Sequence, residues 1–506
     1  MKRWGLMAML LTAGVSLAAC SGADSESPSQ TETETTNEAN GGSVSSEWPA
    51  IASAQDPVTV KVMLKDVFPD EEDVQLLQKA VSEKMAAHGQ YVNLEFVEPP
   101  AGSYATAVPI AMMNGDVEAD IVYFQGGDQA LANQGLFEDL TPYIEKSTFV
   151  KSIMTDVNKK RMENYPYLIW LAPSRIQIPA MRSDWAEQLE SYDKLIEDPT
   201  IDNYYALFKE MKDKGLVEYA LTADGSTARL DSMFNQAFGV TATIVKEDGK
   251  WIFSKESEAE KEKLEFYAKL YADGLLDPEY LTDTWDTMEQ KFYEGKTGII
   301  AGTLSSTQIY DNKMRSVNGE ESQLVILPPA KGVAQGYRAE DVTKEERGFV
   351  INVDSENKDA AWAVLEFMAS PEGRILDKVG IEGKHYTVEN NEIVFTDRWP
   401  EWWARFWDTT YNFNPQNPSL KEPVLTEVGQ SAFDSLQKYT VQDTNIIIPE
   451  EVTPQWDAMN GYYNEYSADI IRGEKPSSAF AEFQEKWEAA GGDAFEETLV
   501  EKLGTP

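Results

Sequence analysis

Cys20 is the single thiol in 506 residues, and its neighbours decide its chemistry. Leu17-Ala18-Ala19-Cys20 closes a segment in which Lys2 and Arg3 precede an apolar run from Trp4 through Val15, the three-part pattern of a secretory signal. Small apolar residues directly before a cysteine at that point form a bacterial lipobox. The thiol receives diacylglycerol, residues 1–19 are cut away, and Cys20 becomes the lipidated N-terminus of an exported, membrane-tethered protein. Phe124, Gln125 and Asp128 form a second group. They stand at and just beyond the carboxyl end of an expected strand, where open α/β sheets bind ligands.

Other reactions lack their residues. There is no G-x-S-x-G, no G-x-G-x-x-G and no suitably placed P-loop Gly-Lys-Ser/Thr, so Gly126 and Gly127 read as turn residues. His88 and His385 are the only histidines, too few for the usual zinc clusters. Glycoside hydrolysis needs two carboxylates at a set separation, and nothing singles out a pair among 86 acidic residues. Binding without catalysis, metal or cofactor is the favoured reading. A surface-anchored glycoside hydrolase is the alternative, and an adhesin or scaffold the third.

The elements that must position these residues begin after a tether. Residues 20–55 are Ser, Thr, Glu, Asn and Gly with almost no large apolar side chain, too polar to offset the entropy of ordering. Val58 to Leu64 reads as a buried strand. Val74, Leu77, Val81 and Met85 recur at helical spacing, Val92, Leu94 and Phe96 alternate, Tyr104 to Met113 suits a short helix, and Ile121 to Phe124 is a third strand. Strand, helix, strand, helix, strand implies a parallel sheet with crossover helices. Pro166, Pro173 and Pro179 among extended residues suit a passage between two lobes. A second α/β region follows, with helices over Tyr204–Met211 and Glu258–Ala272, a hairpin around Asp248-Gly249, and strands at Thr297–Ala301 and Leu324–Leu327. Gly348 to Val353 is a further strand, and the chain ends in helices.

The formal charge of −42 repels nucleic acid and anionic headgroups, so nucleic-acid binding is excluded. No apolar run after the signal reaches the ~20 residues needed to span a bilayer.

Four motifs occur in a telling order. Ala119-Asp120-Ile121 through Gly135-Leu136-Phe137-Glu138-Asp139-Leu140-Thr141-Pro142-Tyr143-Ile144 resembles the N-lobe signature of extracellular solute-binding proteins, family 1, the receptors of ABC sugar importers. Phe292-Tyr293-Glu294-Gly295-Lys296-Thr297-Gly298-Ile299 resembles the entry strand of their second lobe, and Gly348-Phe349-Val350-Ile351 to Ser370-Pro371-Glu372-Gly373 the returning strand and helix. Gly380-Ile381-Glu382-Gly383-Lys384-His385-Tyr386 is similar to the G-x-E-G-x-x-Y element of the large Gram-positive lipoprotein branch. The resemblance implies a two-lobed, type II periplasmic-binding-protein-like α/β fold with parallel-rich sheets, hinge crossings and a helical C-terminal part. The parts implied are the N-lobe at 56–172, the C-lobe at 173–330, the hinge return and second part of the N-lobe at 331–385, and a C-terminal part at 386–506, mainly C-lobe. It also implies a monomer on the extracellular face of the cell membrane that closes on an oligosaccharide and delivers it to ABC permease subunits. Branch members often carry an Asp/Asn-rich calcium loop. Lys212-Asp213-Lys214-Gly215-Leu216-Val217-Glu218 is too short and poor in acids for one, so no calcium site is expected.

A sugar offers C–H faces to aromatic rings and hydroxyls to planar polar groups. Beside Phe124, Gln125 and Asp128, the candidates are therefore Trp170 and Arg175 at the first crossing, Arg182 and Asp184 just past it, and Trp285 ahead of the Gly295-Lys296 strand. Tyr337 and Arg338 in the second crossing, His385, and Trp402 and Trp403 complete the set. Trp402, Trp403 and Phe406 are expected on one helical face. Arg175, Arg182, Arg338 and Arg405 leave room for a uronate-containing oligosaccharide.

Overall fold

Alternating apolar residues between Val58 and Met63 build a strand that buries Val60 and Val62, and the helix Glu72–Ala87 covers it with Val74, Leu77, Val81 and Met85. The computed structural model describes residues 48–504 apart from 126–127, 173–174, 340–346, 391, 408–425, 445 and 447. Cys20, the signal and most of the expected tether lie outside the described residues. The tether expected to reach residue 55 ends earlier. Trp48 is buried, stacks 4.3 Å from the His88 ring, and Ile51 bridges to Gln90. Burying an indole offsets the ordering of the polar chain around it.

In chain order the strands are β1 (Val58–Met63), β2 (Val92–Val97), β3 (Ile121–Gln125), β4 (Ile178–Arg182), β5 (Tyr219–Leu221), β6 (Ile244–Glu247) and β7 (Lys250–Phe253). They continue as β8 (Thr297–Gly302), β9 (Leu324–Ile326), β10 (Tyr337–Arg338), β11 (Arg347–Ile351), β12 (Tyr386–Glu389), β13 (Glu392–Phe395) and β14 (Thr440–Val441). One sheet has the order β11-β3-β1-β2, parallel except for β11, which pairs antiparallel to β3 with Phe349 opposite Tyr123. The other has the order β5-β8-β4-β9, with β4 antiparallel to both neighbours. Pro179 sits inside β4 opposite Ala301 and accepts from the Leu327 N–H, so the proline-marked passage is already sheet at its end.

The buried apolar residues divide into clusters, and none draws members from both sheets. The first lobe comprises residues 48–172 and 347–407, the second 175–339 and 426–504. Residues 386–407, expected mainly in the second lobe, belong to the first: Trp402, Phe406 and Trp407 pack on the β1–β3 core. Gly348, at φ +152°, lets Ile169 lie against β11, because a Cβ there would meet the Ile169 carbonyl at 2.6 Å. Among the described residues no helix is long and apolar enough to cross a membrane.

Candidate functional site

Side chains just past the carboxyl ends of parallel strands line the crevice of an α/β lobe. In the second lobe β5 and β8 end at such an edge, and the antiparallel β4 begins there, which places Gln177 beside them. The loop after β5 supplies Asp224, and the helix Ala228–Phe238 supplies Arg229. Arg229 donates to both Asp224 oxygens from Nε and Nη2 at 2.6 and 2.7 Å. Its Nη1 donates to Gln177 Oε1 at 3.1 Å and to the Ala301 carbonyl at 3.0 Å. The guanidinium, thus fixed, lies 4.2 Å from the ring centroid of Trp285. Thr284 caps the helix Trp285–Tyr293 by accepting from the Thr287 N–H, which holds Trp285 at its first position with 38% of its surface exposed. The result is an indole ring packed on a cation, with Tyr310 6.0 Å away by ring centroids, that keeps part of its surface exposed.

A second node braces the loop leading to that platform. Lys291 Nζ lies within 2.7–2.9 Å of oxygens from Asp277, Glu279 and Asp283. The Thr222 hydroxyl, just past β5, donates to Asp277 at 3.1 Å and to Asp283 at 3.2 Å. Burial opposes the lysine charge, but the hydrogen bonds it donates to Asp277, Asp283 and Glu279 outweigh that and hold the pKa of Lys291 well above the usual lysine value. Beside the platform a cavity of about 230 Å³ opens where the two crossings meet, lined by Ile176, Gln177, Asp231, Ser232, Asn235 and Arg338 among others.

At the first-lobe edge, Gln125 ends β3 opposite Arg347 and is half-buried. Trp170 is half-buried too, 5.4 Å from Tyr123 and 5.8 Å from Phe349 by ring centroids. Arg175 is half-buried in the first crossing. Asp128 opens the helix Asp128–Asn133, and its side chain lies outside the described residues.

Other expected site residues lie elsewhere. Phe124 points into the core, edge-on to Phe137 at 5.2 Å, because its position in β3 alternates with that of Gln125. Arg182 and Asp184 pair at 2.9 and 2.6 Å at the opposite end of β4, since that strand runs antiparallel and carries them away from the edge holding Trp285. Tyr337 is fully buried, its hydroxyl 2.9 Å from the Leu327 carbonyl and 3.1 Å from Ser435 Oγ.

His385 is also fully buried. Its Nδ1 accepts from the Ile381 N–H at 3.0 Å, and Gly380, at φ +95°, has no room for a Cβ beside that ring. The Trp402–Phe406 segment is not helical. Asp377 accepts from the backbone N–H groups of Arg405, Phe406 and Trp407 at 2.7–3.1 Å, which holds the segment as an irregular loop. Trp402 is buried and donates to the Asp377 carbonyl at 2.8 Å, whereas Trp403 stays 37% exposed with the Arg405 guanidinium 4.5 Å from its ring.

The sequence reading missed Asp224, Arg229 and Gln177. The strand-end rule that pointed to Gln125 would have pointed to Asp224 after β5, had it been applied to the second sheet.

Comparison with known proteins agrees with the fold. Residues 69–375 match the family described as bacterial extracellular solute-binding protein. The chain is 22% identical over 359 residues to lipoprotein LipO of Bacillus subtilis (strain 168), covering 67% of this chain and 69% of that one. Its fold is similar to the N-glycan transport solute-binding protein of Streptococcus pneumoniae, with a TM-score of 0.65 at 16% identity over 88% of this chain and 98% of that one. An HMO-binding, ABC-transporter-associated solute-binding protein from Bifidobacterium longum infantis gives a TM-score of 0.61 at 15% identity, over 87% and 97% of the two chains.

Proposed function

The chain belongs to the bacterial extracellular solute-binding protein family, and from that premise we propose that it is the lipid-anchored receptor of an ABC importer for an oligosaccharide. Family membership makes it a binding protein rather than an enzyme, so the hydrolase alternative falls away. Anchoring rests on Cys20 and its lipobox, which put the mature chain on the outer face of the membrane.

One observation carries the choice of ligand: the exposed Trp285 ring lies against a guanidinium that is itself held by four hydrogen bonds to Asp224, Gln177 and Ala301. A partly exposed indole held in place by a fixed guanidinium suits the C–H face of a pyranose. Trp285 is the stacking residue of the second lobe, and Gln125 and Trp170 supply contacts from the first. A ligand that touches both lobes binds the closed form better than the open one, and only that difference in affinity shifts the equilibrium. The closed monomer then docks on the membrane permease and releases the sugar.

The test is a thermal-shift screen of the mature protein against neutral and acidic oligosaccharides, followed by small-angle scattering with each hit. Ligand at 100 times its Kd stabilises the folded state by about 2.7 kcal/mol. Compaction on binding is expected. A tight ligand that leaves the scattering profile unchanged would sink the hinged-trap reading, and an N-terminal peptide without a diacylglyceryl group on Cys20 would sink the anchor.

A further inference from the structure

The polar groups around the cavity where the two crossings meet are oriented from behind by cations. Lys263, on the helix Glu258–Ala272, is buried, and its Nζ lies 2.8 Å from Asn235 Oδ1, 3.0 Å from Asp231 Oδ1 and 3.0 Å from Glu260. An ammonium has only donors, so the oxygen of the Asn235 amide must face it, and the other arm of that amide is the donor Nδ2. The Tyr267 hydroxyl donates to the same Asp231 Oδ1 at 2.9 Å, so Oδ2 is the acceptor that these two bonds do not use. Arg229 fixes Gln177 in the same way, since its Nη1 takes Oε1 at 3.1 Å and the other arm is again an NH₂ donor. Asp231, Asn235 and Gln177 all line the cavity. Asp231 and Asn235 stand one turn apart on the helix Ala228–Phe238, an acceptor beside a donor on one face.

The charges in the lining favour neither an anion nor a cation. Asp231 and Asp443 share it with Arg338, and Asp443 accepts from the neutral N–H and hydroxyl of Thr243, both at 2.6 Å. A ligand carboxylate placed here meets two groups of its own sign, and a ligand ammonium meets Arg338, with Lys263 behind Asp231. A hydroxyl carries no charge and both donates and accepts. One sugar O–H can give its proton to Asp231 while it accepts from Asn235, and each bond polarises the other.

We propose that this cavity is a subsite for a neutral hexose, its hydroxyls held between the Asp231 carboxylate and the amides of Asn235 and Gln177, so that the ligand is an uncharged oligosaccharide. The inference rests on the receptor reading above and names the substrate class. The cavity volume of about 230 Å³ falls below the roughly 300–1,000 Å³ of sites for drug-sized ligands, a scale suited to one sugar ring. Ile176, Ala228 and Ala339 give it an apolar wall for the C–H groups of that ring. Gln177 accepts from the guanidinium that lies 4.2 Å from the Trp285 ring, so the subsite adjoins the stacking residue of this lobe.

The experiment is calorimetric titration of the mature protein with neutral trimers of galactose, glucose and mannose, the corresponding uronate trimers, and a glucosamine trimer. At least one neutral trimer binds, and its uronate counterpart binds about 30-fold more weakly. Asn235→Asp keeps an oxygen for Lys263 and exchanges the donor arm for an acceptor. It loses about 30-fold for the neutral trimer and melts without ligand no lower than the parent protein, which separates a lost ligand contact from a damaged fold. Gln177→Glu makes the same exchange at the second amide and keeps the acceptor for Arg229, so a folding defect in one variant leaves the other as the test. A uronate or glucosamine trimer that binds more tightly than every neutral one would overturn the uncharged subsite and leave the receptor reading standing. A neutral trimer held equally by the parent and both variants would remove the amides from the site and overturn the subsite as well. Binding of no trimer of any class would overturn both the subsite and the receptor reading.

Discussion

Phe124 at the end of β3 and Trp285 ahead of β8 are both large aromatic residues at the edge of a lobe, yet Phe124 is fully buried and Trp285 is 38% exposed. The first lobe consumes its rings in packing. Phe124 meets Phe137, Trp402 gives its indole N–H to the Asp377 carbonyl, and Trp170 leans on Tyr123 and Phe349. The second lobe builds a polar support instead and leaves one ring on top of it. Position at a strand end is therefore insufficient to make an aromatic residue a ligand platform. What distinguishes Trp285 is the hydrogen-bonded Arg229 against its ring. The same contrast recurs between two arginines on either side of Gln177. Arg229 has all three guanidinium nitrogens bonded to protein, which makes it scaffold, while Nη1 of Arg338 has no hydrogen-bond partner among the described residues.

The sharpest way to break this contrast is to truncate both rings. Phe124→Ala should lower stability by about 3–5 kcal/mol in urea unfolding while leaving the folded protein's ligand affinity intact. An affinity loss there with stability unchanged would reverse the roles of the two edges.

Lys291→Met removes the cation between Asp277, Glu279 and Asp283 and leaves the buried carboxylates of Asp277 and Asp283 without it. It should cost about 3 kcal/mol, confined to the second lobe, and part of the loss should return as acid protonates the carboxylates. Hydrogen exchange can assign the loss, and protection falling equally in both lobes would contradict the picture of separate cores.

Trp285→Ala is the converse of the Phe124 substitution. It should weaken ligand binding by about 2 kcal/mol, near 30-fold, with a change in melting temperature too small to matter.

A smaller effect separates the lobes by pH. In the second lobe, burial pushes the Glu256 carboxyl from 4.5 up to about 7 and depresses the neighbouring Lys255 from 10.5 to about 8. The raised Glu256 contributes stability that is full below about 4.5 and lost as pH rises through 7. The depressed Lys255 costs stability while it is charged in the fold, and that cost is recovered between about 8 and 10.5. The second lobe should thus be least stable between pH 7 and 8, by about 1–2 kcal/mol given that both residues keep part of their surface in water. Glu256→Gln should flatten the acid side of that curve, and an unchanged slope would remove Glu256 as its cause.

Much of the architecture was legible in the residues themselves. The strand-helix alternation from Val58 to Phe124, the hairpin around Asp248-Gly249 and the strand at Thr297–Ala301 all fold as their periodicity implies, because each is a local pattern of burial. The motif from Gly380 to Tyr386 also folds as a unit, but its histidine closes a turn rather than facing a ligand. The run from Trp399 to Trp407 misled because ring spacing says nothing of a distant acceptor. Asp377 binds three successive backbone N–H groups there and prevents the helix that the spacing suggested.

By itself, then, the order of residues determined the two α/β regions and the family to which the chain belongs. Which rings stay exposed, and which polar groups pair with one another, was decided only by tertiary structure. Those outcomes depend on contacts between segments far apart in the chain: β4 entering its sheet antiparallel, Asp224 reaching Arg229, and residues 338 and 177 meeting at one cavity. Burial and pairing of a side chain are properties of its surroundings, and its surroundings here are assembled from both crossings of the chain.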